Sequence, residues 1–115
     1  MIELNGKKYI PLQDDTDNYV IIRTQNAGVF AGYLNSFCEK NKVAVLNSAR
    51  RLWYWNGAAT LSQLAMEGVK KPEECKFPCE VEQIKLLGVI EIINCTEQAK
   101  KSISDVPVWE SKKDD

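Results

Sequence analysis

Four runs of β-branched and apolar residues, 19–23, 29–33, 43–46 and 81–93, are cut apart by turn-forming clusters, and this punctuation constrains the fold more than anything else in the chain. Runs of this make-up predict strands. A connection as short as Thr24-Gln25-Asn26-Ala27-Gly28 joins antiparallel neighbours, because a parallel crossover needs a dozen residues or more. Residues 35–42, NSFCEKNK, read as a second turn. The strand starting at 43–46 continues through a bulge into Ala49-Arg50-Arg51-Leu52-Trp53-Tyr54-Trp55, and Asn56-Gly57 stops it. Before these, 2–12 predicts a hairpin about Asn5-Gly6, a pair suited to a type I′ turn, and the acidic stretch 14–18 predicts a solvated connection.

Helical signals are two and short. Thr60 followed by Gln63 has the pattern of a capping box, Leu61, Leu64 and Ala65 share a face, and Gly68 ends the helix. Thr96 caps a second helix with Ala99 and Ile103 on one side. Residues 70–80 carry two prolines and read as an irregular loop, 107–109 as a last extended piece and 110–115 as a frayed tail. The expected fold class is therefore α+β: a single domain over residues 1–115, with one curved antiparallel sheet carrying two short helices.

A chain of 115 residues is long enough to build one hydrophobic core, and no apolar run approaches the roughly 20 residues that cross a bilayer. Asn5-Gly6 falls where a signal peptide would need an unbroken apolar segment, so the expected location is the cytoplasm. Fifteen basic and sixteen acidic side chains lack the excess of positive charge that long nucleic acid requires, so any anion the chain binds is expected to be small. In the cytosol Cys38, Cys75, Cys79 and Cys95 are expected to be thiols. Only Cys75 and Cys79 are close in sequence, spaced C-x3-C, and the chain has no histidine, so no metal or other cofactor is expected. The missing histidine also removes the side chain best suited to acid-base work near neutral pH, and no serine or cysteine comes with an activating base; no enzymatic activity is expected.

An extended chain sends alternate side chains to opposite faces, which puts Arg51, Trp53 and Trp55 on one face and Arg50, Leu52 and Tyr54 on the other. A guanidinium beside two indoles offers planar donors for a phosphate and a flat surface for a base. The same pattern equally describes tryptophans filling the core of a small sheet while the arginines pair with acidic side chains. Arg23-Thr24-Gln25-Asn26-Ala27-Gly28-Val29 is either an ordinary hairpin turn or a nest whose amides meet an anion closely; it matches neither the P-loop nor the dinucleotide fingerprint. Asn94 and Thr96 stand at a strand-to-helix junction whose free amides favour anions, although capping alone accounts for Thr96.

Taken together, Arg23-Thr24-x-x-Ala27-Gly28-Val29-Phe30-x-Gly32, Asn47-x-Ala49-Arg50-Arg51-Leu52-Trp53-Tyr54-Trp55-x-Gly57-Ala58, Leu61-Ser62-x-Leu64-Ala65 and Glu91-Ile92-Ile93-x-Cys95-Thr96 resemble the first Thoeris anti-defence family of phage proteins over residues 19–109. The resemblance implies a non-catalytic sponge in the bacterial host cytoplasm, which sequesters cyclic ADP-ribose isomers made by TIR-domain immune enzymes. Some members also hold cyclic trinucleotides. It further implies a homo-oligomer with ligand pockets between protomers, and ligand contacts from Arg51 and Arg50 to phosphates, from Trp53 and Trp55 by stacking, and from Arg23, Thr24, Ala27 and Gly28 at the turn, with Asn94 and Thr96 next. The competing expectation is a protein-binding phage accessory factor anchored by Trp53, Tyr54 and Trp55, residue types enriched at interface hot spots.

Overall fold

The computed structural model describes residues 18–109, so the expected hairpin at 2–12, most of the acidic connection at 14–18 and the tail at 110–115 lie outside the described residues. Five strands form one antiparallel sheet: β1 (Tyr19–Thr24), β2 (Val29–Cys38), β3 (Val43–Arg51), β4 (Val81–Leu87) and β5 (Val89–Asn94), in the order β4-β3-β2-β1-β5. Two helices, α1 (Leu61–Glu67) and α2 (Glu97–Asp105), complete the α+β domain.

The sheet is strongly curled. β4 and β5 lie at opposite ends of the strand order yet are separated by Gly88 alone. Gly88 takes φ +72°, open to glycine without the cost a Cβ imposes, and its carbonyl accepts from Gln25 N at 2.9 Å. Val89 N donates to Lys42 O at 3.0 Å, so the tip of the β2–β3 hairpin is bent back to the end of β1. Register shifts at Ala31/Tyr33 and Leu34/Ser36 in β2, and Ser48 at φ +51° in β3, supply the curvature.

Curling gives the sheet two cores. Inside the curl pack Val20, Ile22, Phe30, Ala44, Leu46, Leu86 and Val89. Outside, the alternate residues Tyr19, Ile21 and Ala31 pack with Leu52, Phe77, Leu64 and Ala65 of α1, and Ile103 of α2. The helices form where their caps predict: Thr60 Oγ1 accepts from Gln63 N at 3.1 Å, Thr96 Oγ1 from Ala99 N at 3.0 Å, and Gly68 closes α1 through its N–H to Leu64 O. The Gln63 side chain reaches back as a capping box requires, one residue further than the usual form, to Ala59 N at 2.8 Å.

Three elements differ from the expectation. The strand expected to run on to Trp55 ends at Arg51, and beyond it only Tyr54 makes an isolated bridge, to Lys76. Residues 35–38 continue β2 as an exposed arm instead of turning, because a long curled hairpin carries polar residues on both faces at its tip. The run 81–93 is two strands with different partners, since Gly88 breaks it and sends its halves to opposite edges of the sheet. The loop 70–80 holds one 3-10 turn at Pro72–Glu74, and the last extended piece pairs through Val108 to Phe77.

Candidate functional site

The bulge at Ser48 decides where two adjacent arginines go. Leu46 and Ala49 both point into the curl although three residues apart, so the extra residue between them turns Arg51 inward and Arg50 outward under the helices. Arg51 is the cross-strand partner of Phe30, and its guanidinium carbon lies 4.5 Å from the Phe30 ring centroid. This is cation–π geometry. Its Nη1 donates to Ala27 O at 2.6 Å.

The turn that Arg51 grips is built from the inside. Thr24 is buried; its hydroxyl accepts from Ala27 N and donates to Gly28 O, each at 2.9 Å, and its own N–H also meets Gly28 O. Gly28 sits at φ +104°, and a Cβ there would lie 3.6 Å from Arg51 Nη1. Beyond β3 the chain leaves the ladder, and Trp53 and Trp55 join Arg51, Leu52, Ala27, Gly28 and Val29 around a groove of about 370 Å³. Trp53 is 64% exposed, whereas Trp55 is half-buried with one side packed on the outer core. The groove gathers one guanidinium and two indoles beside Ala27 and Gly28, one indole free and the other partly structural, but not by the expected alternation: after Arg51 the chain is no longer a strand, Leu52 lines the groove as well, and Trp55 packs with it on the outer core.

Five sequence-expected residues stand elsewhere or are otherwise engaged, Thr24 among them, whose hydroxyl and N–H are spent inside the turn and which does not line the groove. Arg50 is 4% exposed, and its three nitrogens donate to five carbonyls, of Phe77, Pro78, Ile103, Val106 and Pro107, at 2.8 to 3.4 Å. Burial lowers the proton affinity of this guanidinium, and its donors are committed to the fold rather than to a phosphate. Arg23 makes a 2.9 Å ion pair with Glu91 of β5 and does not line the groove. Asn94 pairs with Val20, at the opposite end of β1 from Thr24, about 13 Å along the strand. Thr96 caps α2 and donates to Met66 O. Within the turn, Ala27 offers no free amide, because Thr24 Oγ1 has it; a ligand there meets the outer surface of the turn.

Arg51 also borders two further concavities that sequence reasoning missed. A cavity of about 420 Å³ at the mouth of the curl is lined by Asn26, Ala27, Phe30, Arg51, five consecutive residues of β4 and its end, 84–88. A smaller one of about 180 Å³ lies between Arg51, Phe30, Pro78, Cys79 and Val81. Nothing in the local sequence signals either, since the larger is bounded by β4 brought opposite the 24–28 turn and the smaller by Pro78, Cys79, Val81 and Ile84 brought beside Arg51. Among the described residues no group of three or more histidine, cysteine or acidic side chains is placed to hold a metal ion, and no helix is long and apolar enough to cross a membrane. Burial raises the Cys75 thiol pKa and pushes Cys95 up to about 12.

Fold and groove together define the class: a small α+β domain built on a curled antiparallel sheet, with an arginine-tryptophan groove beside its first hairpin turn. The chain belongs to the DUF6948 family, a domain of unknown function, whose profile matches residues 17–103. No curated protein and no solved structure matches it.

Proposed function

We propose that the chain is a non-catalytic binder of a small anionic nucleotide, and that it captures cyclic ADP-ribose-type signals as a phage-encoded sponge in the bacterial cytoplasm. The observation that carries this reading is the convergence of Arg51, Trp53 and Trp55 with the 24–28 turn on one groove of about 370 Å³, within the roughly 300–1,000 Å³ that small-molecule pockets occupy. Trp53 offers an exposed face for a base, and Arg51 is held by Phe30 on one side and Ala27 O on another, so its orientation is fixed before a phosphate arrives. The resemblance of the 19–109 segments to the Thoeris anti-defence sponges supplies the ligand class, extends it to cyclic trinucleotides as second ligands, and supplies assembly as a homo-oligomer that completes the groove from a neighbouring protomer.

The test is titration calorimetry with cyclic ADP-ribose isomers on wild type and Arg51→Ala, followed by heat denaturation and chromatography of the released ligand. A charge-assisted hydrogen bond is worth about 1.5–3 kcal/mol, so Arg51→Ala weakens binding by roughly 10- to 150-fold and the ligand returns intact. Arg51→Lys recovers part of the loss, because the charge remains without the planar fork. Product in place of ligand makes the chain an enzyme. The exposure of Trp53 and Tyr54 favours one second reading, a protein-binding factor, and no binding of any isomer at millimolar concentration decides for it.

A further inference from the structure

The concavities of about 420 and 180 Å³ share Phe30, Arg51 and Ile84, and together they follow β4 from Gly88 to Val81 as one trough. The larger is lined by the unbroken run 84–88. Alternate side chains of a strand point to opposite faces, so a wall made of an unbroken run is the backbone edge of the strand. That edge is the open one. At the junction with β5 the chain is held on both sides: Val89 N donates to Lys42 O, just before β3, and Gly88 O accepts from Gln25 N, next to the Asn26 and Ala27 that line the trough. From Leu87 back to Val81 the chain pairs with β3 alone among the described residues, because β4 ends the strand order. A strand so placed carries a row of unpaired N–H and C=O groups over about 20 Å.

The charge along the trough is one-sided. No acidic residue lines either concavity. Arg51 spends Nη1 on Ala27 O, while its Nε and Nη2 have no acceptor among the described residues. Val81 and Leu87, at the two ends of β4, are exposed apolar side chains. The geometry points to a peptide-docking edge: an extended segment of another protein adds to the sheet along β4, its backbone pairs with the open edge, and one of its carboxylates meets the free donors of Arg51. Apolar residues two positions to either side of that carboxylate share its face and settle beside Phe30 and Ile84. The partner class is an acidic-apolar strand and not a helix, because a helix has already spent its backbone N–H and C=O groups on itself. A carboxylate is the complement the trough lacks, and a guanidinium takes it through two parallel N–H groups.

The experiment titrates the full, isotope-labelled chain with a blocked seven-residue peptide of alternating threonine and valine whose central valine is replaced by glutamate. Binding is expected at about 1 mM peptide or below, with resonance shifts and slowed amide exchange centred on 81–88 and the Arg51 side chain. Glutamine in place of the glutamate is expected to weaken binding about 10-fold or more on the unaltered chain; Arg51→Ala loses as much, and the two losses do not add. Methylating the backbone nitrogens of the odd-numbered or of the even-numbered peptide residues blocks one edge of the peptide or the other, and only one of these two peptides is expected to bind. The docking edge is overturned by absence of binding, by equal behaviour of the two methylated peptides, by an undiminished glutamine peptide, or by shifts that leave 81–88 untouched. It is overturned equally if the β4 amides are already protected in the concentrated chain alone and lose protection on dilution, which assigns the edge to a second copy. None of these readouts involves a nucleotide, so this proposal and the nucleotide reading fail separately.

Discussion

Arg50→Ala is expected to be the most destabilising single substitution at the arginine-tryptophan segment, and the structure sets its size. Five carbonyls accept from the guanidinium, but they are not equally dependent on it. Phe77 O also accepts from Trp109 N at 3.0 Å and Ile103 O from Val106 N at 3.3 Å, so both keep a donor when Arg50 is removed. Pro78 O and Pro107 O lie at partly exposed bonds where water replaces the donor. Val106 O, bonded at 2.8 Å in a buried position, is left bare, which costs about 1–3 kcal/mol. The lost charge-assisted bonds and the contact with the Phe77 ring, 5.5 Å away, add to this without adding fully to one another. A total of about 3–5 kcal/mol is a large share of the roughly 5–15 kcal/mol that holds a small domain folded. With a urea m-value of about 1–3 kcal/mol per molar, the unfolding midpoint moves down by about 1 M or more. Arg50→Met, which keeps volume and loses donors, should recover only the cavity part of the loss. A midpoint within about 0.3 M of wild type for Arg50→Ala would show that the carbonyl cluster contributes little, and would return Arg50 to the list of residues free to meet a ligand.

Iodoacetamide at pH 8 should label the exposed Cys38 and Cys79 in the native protein and spare Cys75 and Cys95 until urea is added, a pattern mass spectrometry of the peptides reads directly. Stability should fall as pH rises from about 9 toward 12: Cys95, pushed up to about 12 from 9.0 by burial, and Tyr19, also raised by burial, stay protonated in the fold while the unfolded chain loses those protons; urea midpoints at pH 7 and pH 10.5 check the sign, and Cys95→Ala should flatten the dependence. Gly28→Ala should cost about 1 kcal/mol or more through strain at φ +104° and weaken nucleotide binding by shifting the turn whose Ala27 carbonyl holds Arg51, whereas equal melting and equal affinity would remove the turn from the site.

The fold was legible where a local physical rule decides it. Thr60, Gly68 and Thr96 are cap residues whose partners lie within four positions, so the helix ends follow from sequence alone. Thr24 to Gly28 is a turn because Gly28 alone accepts its backbone angle and Thr24 satisfies the loop from within. The division of 81–93 was not legible. Ile92 and Ile93 continue the branched character of Val81 and Ile84, and a glycine inside such a run reads as a weak spot, not as a change of partner. What gives Gly88 its role is the position of Gln25 and Lys42, far away in sequence, and no local rule contains them.

The candidate site divides along the same line, and its two arginines show why. Alternation correctly separates Arg50 from Arg51, because it depends only on neighbours in the strand. It cannot say which face is already furnished with carbonyls: those come from 77–78 and from the end of α2, more than twenty-five residues downstream, and only the packed helix layer brings them over Arg50. Once that layer has taken Arg50, Arg51 is left on the face that meets the 24–28 turn, with a phenylalanine beneath it and open space on either side. The anchored arginine thus fixes the pose of the other: Arg50 ties the end of β3 to the segment 77–78, and that segment in turn forms part of the wall beside Arg51. A substitution at Arg50 that leaves the chain folded should therefore still disturb the groove, through the position of β3 rather than through any contact with the ligand.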